Sequence, residues 1–357
     1  MRHISLAVLP GDGIGKEVVP AAMEVLDVVA NVHGGIRFEH EEFPWGCEYY
    51  LQHGQMMPED ALSTLASFDQ IFLGAVGYPT VPDHVSLWGM LIPIRRSFQQ
   101  YINLRPIKTL QGMKSPLASE RVKDIDFVVV RENSEGEYSN MGGRIHEGTA
   151  HEVAMQVSYF SRMGVERVLR YAFERANQSR RKRLTAATKS NGIIYTMPFW
   201  DQLCKEASLE YPEVSTRLVH IDALAAYFVM HPEEFDVVVA SNLFGDILTD
   251  IGGAIMGSIG MAPAANLNPE GKYPSMFEPV HGSAPDIAGK GVANPIGQIW
   301  TAKMMLDFLG ETELGEKVLD AIEQTLVQGV KTPDLGGQAT TAEVTQSVLA
   351  HLRKITQ

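Results

Sequence analysis

FDVVVASNLFGDILTDIGG, Phe235 to Gly253, changes its period halfway along. The first half is apolar at nearly every position, as a strand covered on both faces must be. Past Ser241 the apolar residues Leu243, Phe244, Ile247, Leu248 and Ile251 recur at three and four, the spacing of a helix. A buried strand running into an amphipathic helix is half of a parallel β–α unit. Similar apolar runs stand at 4–9, 70–76, 126–132, 183–189 and 217–222, with helical stretches between them. Trp300, Met304 and Phe308 form one helical stripe, and Leu314, Val318, Ile322 and Leu326 another, with Gly329 as its stop. Val344, Val348 and Leu352 form a third, after a capping box of Thr340 and Glu343. The pattern predicts an α/β protein whose stripes are core.

The chain has 357 residues, enough for about two domains. No linker composition marks a boundary, which suggests that the chain crosses between domains more than once. Thirty basic against 43 acidic residues give a net charge of −13, which argues against broad nucleic-acid binding. The one basic run, Arg180 to Arg183, reads as a solvated turn before a strand. Cys47 and Cys204 cannot build a disulfide framework, and together with 16 methionines they fit a reducing cytoplasm. The apolar stretch 4–10 is too short for a signal peptide. The uncharged stretch 251–269 is full of Gly, Pro and Asn, so no membrane span is expected.

Five segments carry chemistry-bearing residues. LPGDGIGKE (9–17) reads G-D-G-I-G rather than G-x-G-x-x-G, so a tight strand-to-helix turn explains it as well as a dinucleotide loop does. Asp246 and Asp250 are one helical turn apart among apolar neighbours. Either a hard divalent cation resolves their repulsion, or one is a buried cap and the other exposed. Arg95 and Arg96 close LIPIRR, Arg105 lies in YINLRP, and Arg131 ends an apolar strand, where α/β proteins bind ligands. Three guanidinium forks would suit a small polycarboxylate, and each alone would serve as a salt-bridge partner. Lys189 ends an apolar strand in ATKSNGI, and Tyr138 follows Arg131, so both are candidate proton carriers. FEPVHGSAPDIAGKGVANP (277–295) is a long loop with Asp286 and Asn294 as its polar handles.

Taken in order, GDGIG, the R-x₉-R of Arg95 and Arg105, VREN, TKSNG, DxxxD and HGSAPDIAG resemble the β-hydroxyacid oxidative decarboxylases of the isocitrate/isopropylmalate dehydrogenase family. The resemblance covers essentially the whole chain. It implies a two-domain α/β fold that is not Rossmann, with the active site in the interdomain cleft. Residues 1–100 plus 255–357 would form the large domain with the NAD-binding loop, and 101–254 the small central domain and dimer interface. It implies that Arg95, Arg105 and Arg131 bind substrate carboxylates, and that Asp222, Asp246 and Asp250 hold Mn²⁺ or Mg²⁺. Tyr138 would be the general acid and Lys189 the general base. In a homodimer, Lys189 and Asp222 would reach the site from the partner subunit. His281, Gly282, Ser283, Ala284, Asp286, Asn294 and Asn191 would contact the cofactor. A carboxylate at Asp286 accepts hydrogen bonds from a ribose diol and repels a 2′-phosphate, so NAD is expected. A monovalent cation such as K⁺ is a further cofactor that the family allows.

Substrate choice is expected in VSLWGMLIPIRR, just before Arg95. Leu91 and Ile92 fit the apolar pair of isopropylmalate enzymes, but Trp88 stands where those enzymes carry glutamate. A bulky indole should shrink the pocket. That favours a small C3 substituent, hence D-malate or tartrate, and SLWG itself resembles that branch. The alternatives are 3-isopropylmalate oxidation with Trp88 as mere packing, and, more distantly, a non-catalytic regulatory subunit.

Overall fold

The computed structural model describes residues 1–118 and 120–355. Its strands are β1 (Arg2–Gly11), β2 (Ile36–Glu42), β3 (Gln70–Ala75), β4 (Ile102–Lys108), β5 (Asp126–Glu132), β6 (Gly142–Ile145), β7 (Val153–Gln156), β8 (Arg183–Thr188), β9 (Ser215–His220), β10 (Val237–Ala240), β11 (Pro263–Leu267) and β12 (Ser275–Pro279). The helices are α1 (Gly15–His33), α2 (Cys47–His53), α3 (Ala61–Leu65), α4 (Asp83–Ser86), α5 (Ile92–Ser97), α6 (Arg162–Gln178), α7 (Thr196–Ser208), α8 (Ile221–Met230), α9 (Asn242–Met256), α10 (Ile296–Phe308), α11 (Thr312–Val327) and α12 (Thr341–Ile355). All six apolar runs noted in the sequence are strands, and all three stripes are helices. Glu343 accepts from the backbone and hydroxyl of Thr340, as the capping box requires.

Ten strands form one sheet in the order β2-β1-β3-β12-β11-β4-β5-β10-β8-β9. The outer strands pair in parallel, whereas β11 is antiparallel to both neighbours and β4 is antiparallel to β5. Strands from 1–100 and 255–357 make one flank and strands from 101–254 the other, meeting at the β4–β11 seam. In the first flank the pleat sorts the core by parity. Ile4, Leu6 and Val8 of β1 face α1, whereas Ala7 and Leu9 face Trp45, Leu65, Met90 and Ile94. In the second flank α6 packs on β5, β10 and β8, and α9 on β4, β5 and β10. The short pair β6–β7 stands off the sheet with every residue exposed. No helix among the described residues is long and apolar enough to cross a membrane.

Candidate active site

Asp246 is the hub of the site. It lies in the first turns of α9, whose start is fixed by Glu137 accepting from Ser241 Oγ (2.8 Å) and Leu243 N (3.0 Å). Asp246 Oδ1 accepts from Arg131 Nη1 and from Arg105 Nη1 at 3.3 Å, while its Oδ2 accepts from the Tyr138 hydroxyl at 3.0 Å. Arg131 is 3 % exposed, and its fork is fixed by Asn242 Oδ1 at 3.1 and 2.7 Å. Arg105 is held by Asn103 Oδ1 at 2.7 Å and Thr249 Oγ1 at 2.6 Å. Burial works against the Asp246 charge, but Arg131, Arg105 and the Tyr138 hydroxyl outweigh it and hold the carboxyl below its ordinary range. Burial, then the arginine next to it, pulls Arg131 down to about 10. Burial and Asp246 raise Tyr138, so its phenol keeps its proton.

Asp250 follows one turn on, as the sequence spacing requires. Among the described residues it has no hydrogen bond or ion pair, and burial followed by Asp246 raises its titration. Two hard-oxygen donors one turn apart, one of them unpaired, fit a divalent cation. Asp222 is not with them. It opens α8 and pairs with Lys189 Nζ at 2.9 Å, a bond that lowers its titration. No group of three or more His, Cys, Asp or Glu side chains is placed for a metal among the described residues. One chain therefore brings two candidate ligands together, and the Lys189–Asp222 pair stands apart from them.

Arg95 is buried and faces Glu278 of β12, with Nη2 to Oε1 at 2.6 Å. Asn266 of β11 donates to the same oxygen at 2.7 Å and accepts from Asn103 Nδ2 at 2.8 Å. Arg95, Glu278, Asn266, Asn103 and Arg105 thus form one hydrogen-bonded chain across the seam. The sequence reading missed Glu278, Asn266, Asn103 and Asn242, although the neighbouring FEP and SNLFGD segments were in view. It named Arg96 but gave it no role; the Arg96 guanidinium lies 5.1 Å above the Trp88 ring and donates to the Tyr138 carbonyl at 3.2 Å. Trp88 and Leu91 belong to a π-helical turn, 87–91, that precedes α5. Ile92 is 8 % exposed yet joins neither of the two large apolar clusters.

The glycine turn and the 281–294 loop meet. Ile14 N donates to Ser283 O at 2.9 Å, and a Cβ on Gly13 would stand 2.0 Å from that oxygen. Asp12 ties three loops by accepting from Cys47 N (2.9 Å), Glu48 N (3.1 Å) and Gly77 N (3.0 Å). A cleft of about 560 Å³ opens between residues 76–83 and Gly282, Ser283 and Pro285. Ala284 adopts φ +39° in this loop, and Glu17 anchors its far end through Gly289 N and Gly291 N. Burial lowers His281, which leaves the ring neutral with Nε2 unpartnered. Asp286 is exposed, and its carboxylate has no partner among the described residues, which suits a ribose diol. Asn294 ties the end of this loop to the 333–335 turn, donating to Asp334 (2.9 Å) and accepting from Ile296 N (3.0 Å). Asn191 lies in the exposed turn after β8, and no bond ties it to this loop among the described residues.

The profile of the family "Isocitrate/isopropylmalate dehydrogenase" matches residues 5–348. A probable tartrate dehydrogenase/decarboxylase of Bacillus subtilis is 60 % identical over 356 residues, covering 99 % of both chains. The decarboxylating D-malate dehydrogenase of Escherichia coli is 55 % identical, covering 98 % of both. The solved isocitrate dehydrogenase of Methylococcus capsulatus superposes with a TM-score of 0.87 at 30 % identity, over 99 % of this chain and all of that one. The chain belongs to the isocitrate/isopropylmalate dehydrogenase family, and its fold is the fold of those enzymes.

Proposed function

We propose that the protein is a cytoplasmic homodimer that uses NAD and Mn²⁺ or Mg²⁺ to oxidise and decarboxylate small 2-hydroxy dicarboxylic acids, D-malate and tartrate first among them. The observation that carries this reading is the convergence of Arg105, Arg131 and Tyr138 on Asp246. Fixed guanidinium forks and a phenol that stays protonated suit a carboxylate substrate whose product carbon must gain a proton. Asp246, Asp250 and the partner subunit's Asp222 would hold the metal, which would supply Lewis acidity, and NAD would supply the hydride acceptor.

The chain itself does the rest. Arg95, Arg105 and Arg131 orient the carboxylates. The partner subunit's Lys189 takes the hydroxyl proton. Loss of CO₂ from the β-keto acid leaves an enolate, and Tyr138 delivers the proton to its carbon. The flanks 1–100 plus 255–357 and 101–254 act as two domains closing on the substrate, which excludes water. A second copy is supported by apolar residues left in solvent on the central flank: Met155 at 65 %, Ile194 at 64 %, Tyr195 at 84 % and Met230 at 61 % exposed. Trp88, fixed under Arg96, fills the room that a branched C3 group would need.

The test is NADH formation with NAD and Mn²⁺, comparing kcat/KM for D-malate, L-tartrate and 3-isopropylmalate. D-malate or tartrate should lead by at least about tenfold, or 1.4 kcal/mol. A lead for 3-isopropylmalate refutes the Trp88 argument. Shared sites have their own test. Mixing Lys189→Met with Tyr138→Phe subunits should restore about a quarter of wild-type activity, because one site of each mixed dimer is intact. If each site were built from one chain, mixing would restore nothing.

A further inference from the structure

Arg95 and Arg96 are neighbours with different partners. Arg95 is paired with Glu278, whereas no carboxylate is paired with Arg96 among the described residues. The one side-chain hydrogen bond of Arg96 there runs from Nη2 to the Tyr138 carbonyl at 3.2 Å, and its guanidinium lies 5.1 Å from the centre of the Trp88 ring. Trp88 stands in the 87–91 π-helical turn and Arg96 in α5, so both belong to the outer flank. Tyr138 belongs to the central flank, beyond the end of β5. All three side chains are half-buried.

The segment around Tyr138 is otherwise held from its own flank. Gly136 N donates to Tyr159 O at 2.9 Å, Glu137 accepts from Ser241 and Leu243, and Ser139 Oγ donates to Val157 O. The phenol donates to Asp246 at 3.0 Å, and Arg131 lies 5.7 Å from the Tyr138 ring. Arg96 supplies the bond that reaches this segment from the outer flank among the described residues. Its guanidinium is thus shared between the indole of Trp88 and the backbone that carries the phenol. A cation over an indole and a charge-assisted bond to a carbonyl are both directional, and here one planar group makes both. Moving the indole moves the guanidinium, and moving the guanidinium lengthens the bond to Tyr138.

We propose that Arg96 is a positioning residue that links substrate choice to proton delivery. The inference rests on the roles given above to Trp88 and Tyr138. A small C3 group leaves the indole in place, so Arg96 keeps Tyr138 in register with the carbon that must gain a proton. A branched C3 group has to push the indole aside. The guanidinium follows, Tyr138 loses its outer anchor, and the proton arrives late. The step moves one proton: the phenol O–H bond breaks, a C–H bond forms at C3, and the phenolate stays beside Arg131 until water reprotonates it. An ill-fitting substrate is therefore penalised twice, once in binding and once in turnover.

The experiment measures kcat and KM in H₂O and D₂O, with D-malate and with 3-isopropylmalate, for the wild-type enzyme and for Arg96→Met. That variant keeps an apolar stem for Trp88 but removes the cation and its donors. Deuterium at C2 of D-malate reports hydride transfer in parallel. Arg96→Met should lower kcat for D-malate about tenfold, the loss of a charge-assisted bond, with KM for D-malate and NAD changed less. Its solvent isotope effect should rise and its C2-deuterium effect fall, because protonation becomes the slow step. Arg96→Lys, which keeps a cation and a donor, should recover part of the loss. Arg96→Gln carries the same test if the methionine variant fails to fold. In the wild type the solvent effect should be larger with 3-isopropylmalate than with D-malate, and in Arg96→Met the two should be equal. An unchanged kcat overturns the proposal, and so does a loss of activity with both isotope effects unchanged, which marks a merely structural residue. Equal solvent effects for the two substrates in the wild type overturn the link to substrate choice. A lead for 3-isopropylmalate over D-malate refutes the substrate reading instead, and the isotope pattern of Arg96→Met with that substrate still decides the role of Arg96.

Discussion

Replacing Glu278 by alanine strands a buried charge. Arg95 has 10 % of its side chain exposed, its Nε has no partner, and Nη2 has only the Glu278 carboxylate at 2.6 Å. Asn266 Nδ2 loses its 2.7 Å acceptor in the same step. An uncompensated buried charge costs about 3–5 kcal/mol, and Glu278→Ala should lose that much stability. Glu278→Gln keeps an acceptor for both neighbours and should lose about 1–3 kcal/mol. Arg95→Met in the Gln background removes the stranded cation while Asn266 stays satisfied. The double variant should therefore be more stable than Glu278→Ala by about 2 kcal/mol or more, because the two positions are in contact and their effects do not add. The assay is urea unfolding at one protein concentration, followed by tryptophan fluorescence, with the midpoint shift multiplied by a shared slope. A loss under about 1 kcal/mol for Glu278→Ala, or a double variant no better than it, would refute the account of the network as a charge held in place by its partner.

Gly13→Ala puts a Cβ 2.0 Å from Ser283 O at φ +54°, so the cofactor loop must shift, and KM for NAD should rise about tenfold, with kcat changed less. Asn242→Ala frees the Arg131 fork, and kcat/KM should fall ten- to a hundredfold, roughly the worth of one to two charge-assisted bonds; an unchanged value would mean that Asp246 alone holds Arg131. Burial pushes the Cys47 and Cys204 thiols up to about 12, so a disulfide reagent at pH 8 should label neither in the folded enzyme and both in urea. Chelation by EDTA should abolish NADH formation and added Mn²⁺ should restore it, because Asp250 has no other partner for its charge.

The strands legible in the sequence are those whose two faces are both apolar. β4 was hidden because Asn103 and Arg105 interrupt it on one face and Pro106 stands on the other, and β11 and β12 carry proline at one end. These are the strands nearest the site, where buried polar residues serve chemistry and break the pattern that marks a strand. Asp246, Asp250, Arg105, Arg131 and Tyr138 stood out as candidates by spacing and residue type, and their roles came from the family resemblance alone. Their supports did not stand out, since an isolated Asn or Glu gains meaning only from what lies across the sheet. Arg96 shows the limit well. It adjoins Arg95 in sequence, yet helical rotation points one toward Glu278 and the other onto Trp88.

At the seam, Ile102 stands opposite Leu267 and Leu104 opposite Ala265. The polypeptide thus departs from the outer flank and returns to it across a single strand pair, and everything between is topologically a guest in its host. Because its two ends are already neighbours, exchanging the guest for that of a relative asks no long connection of the host and adds little loop-closure entropy. Asp222, Asp246, Asp250, Tyr138, Lys189, Arg105, Arg131 and the exposed apolar residues Met155, Ile194, Tyr195 and Met230 would travel together in such a graft. The nucleotide loop, Trp88 and Arg95 would stay behind.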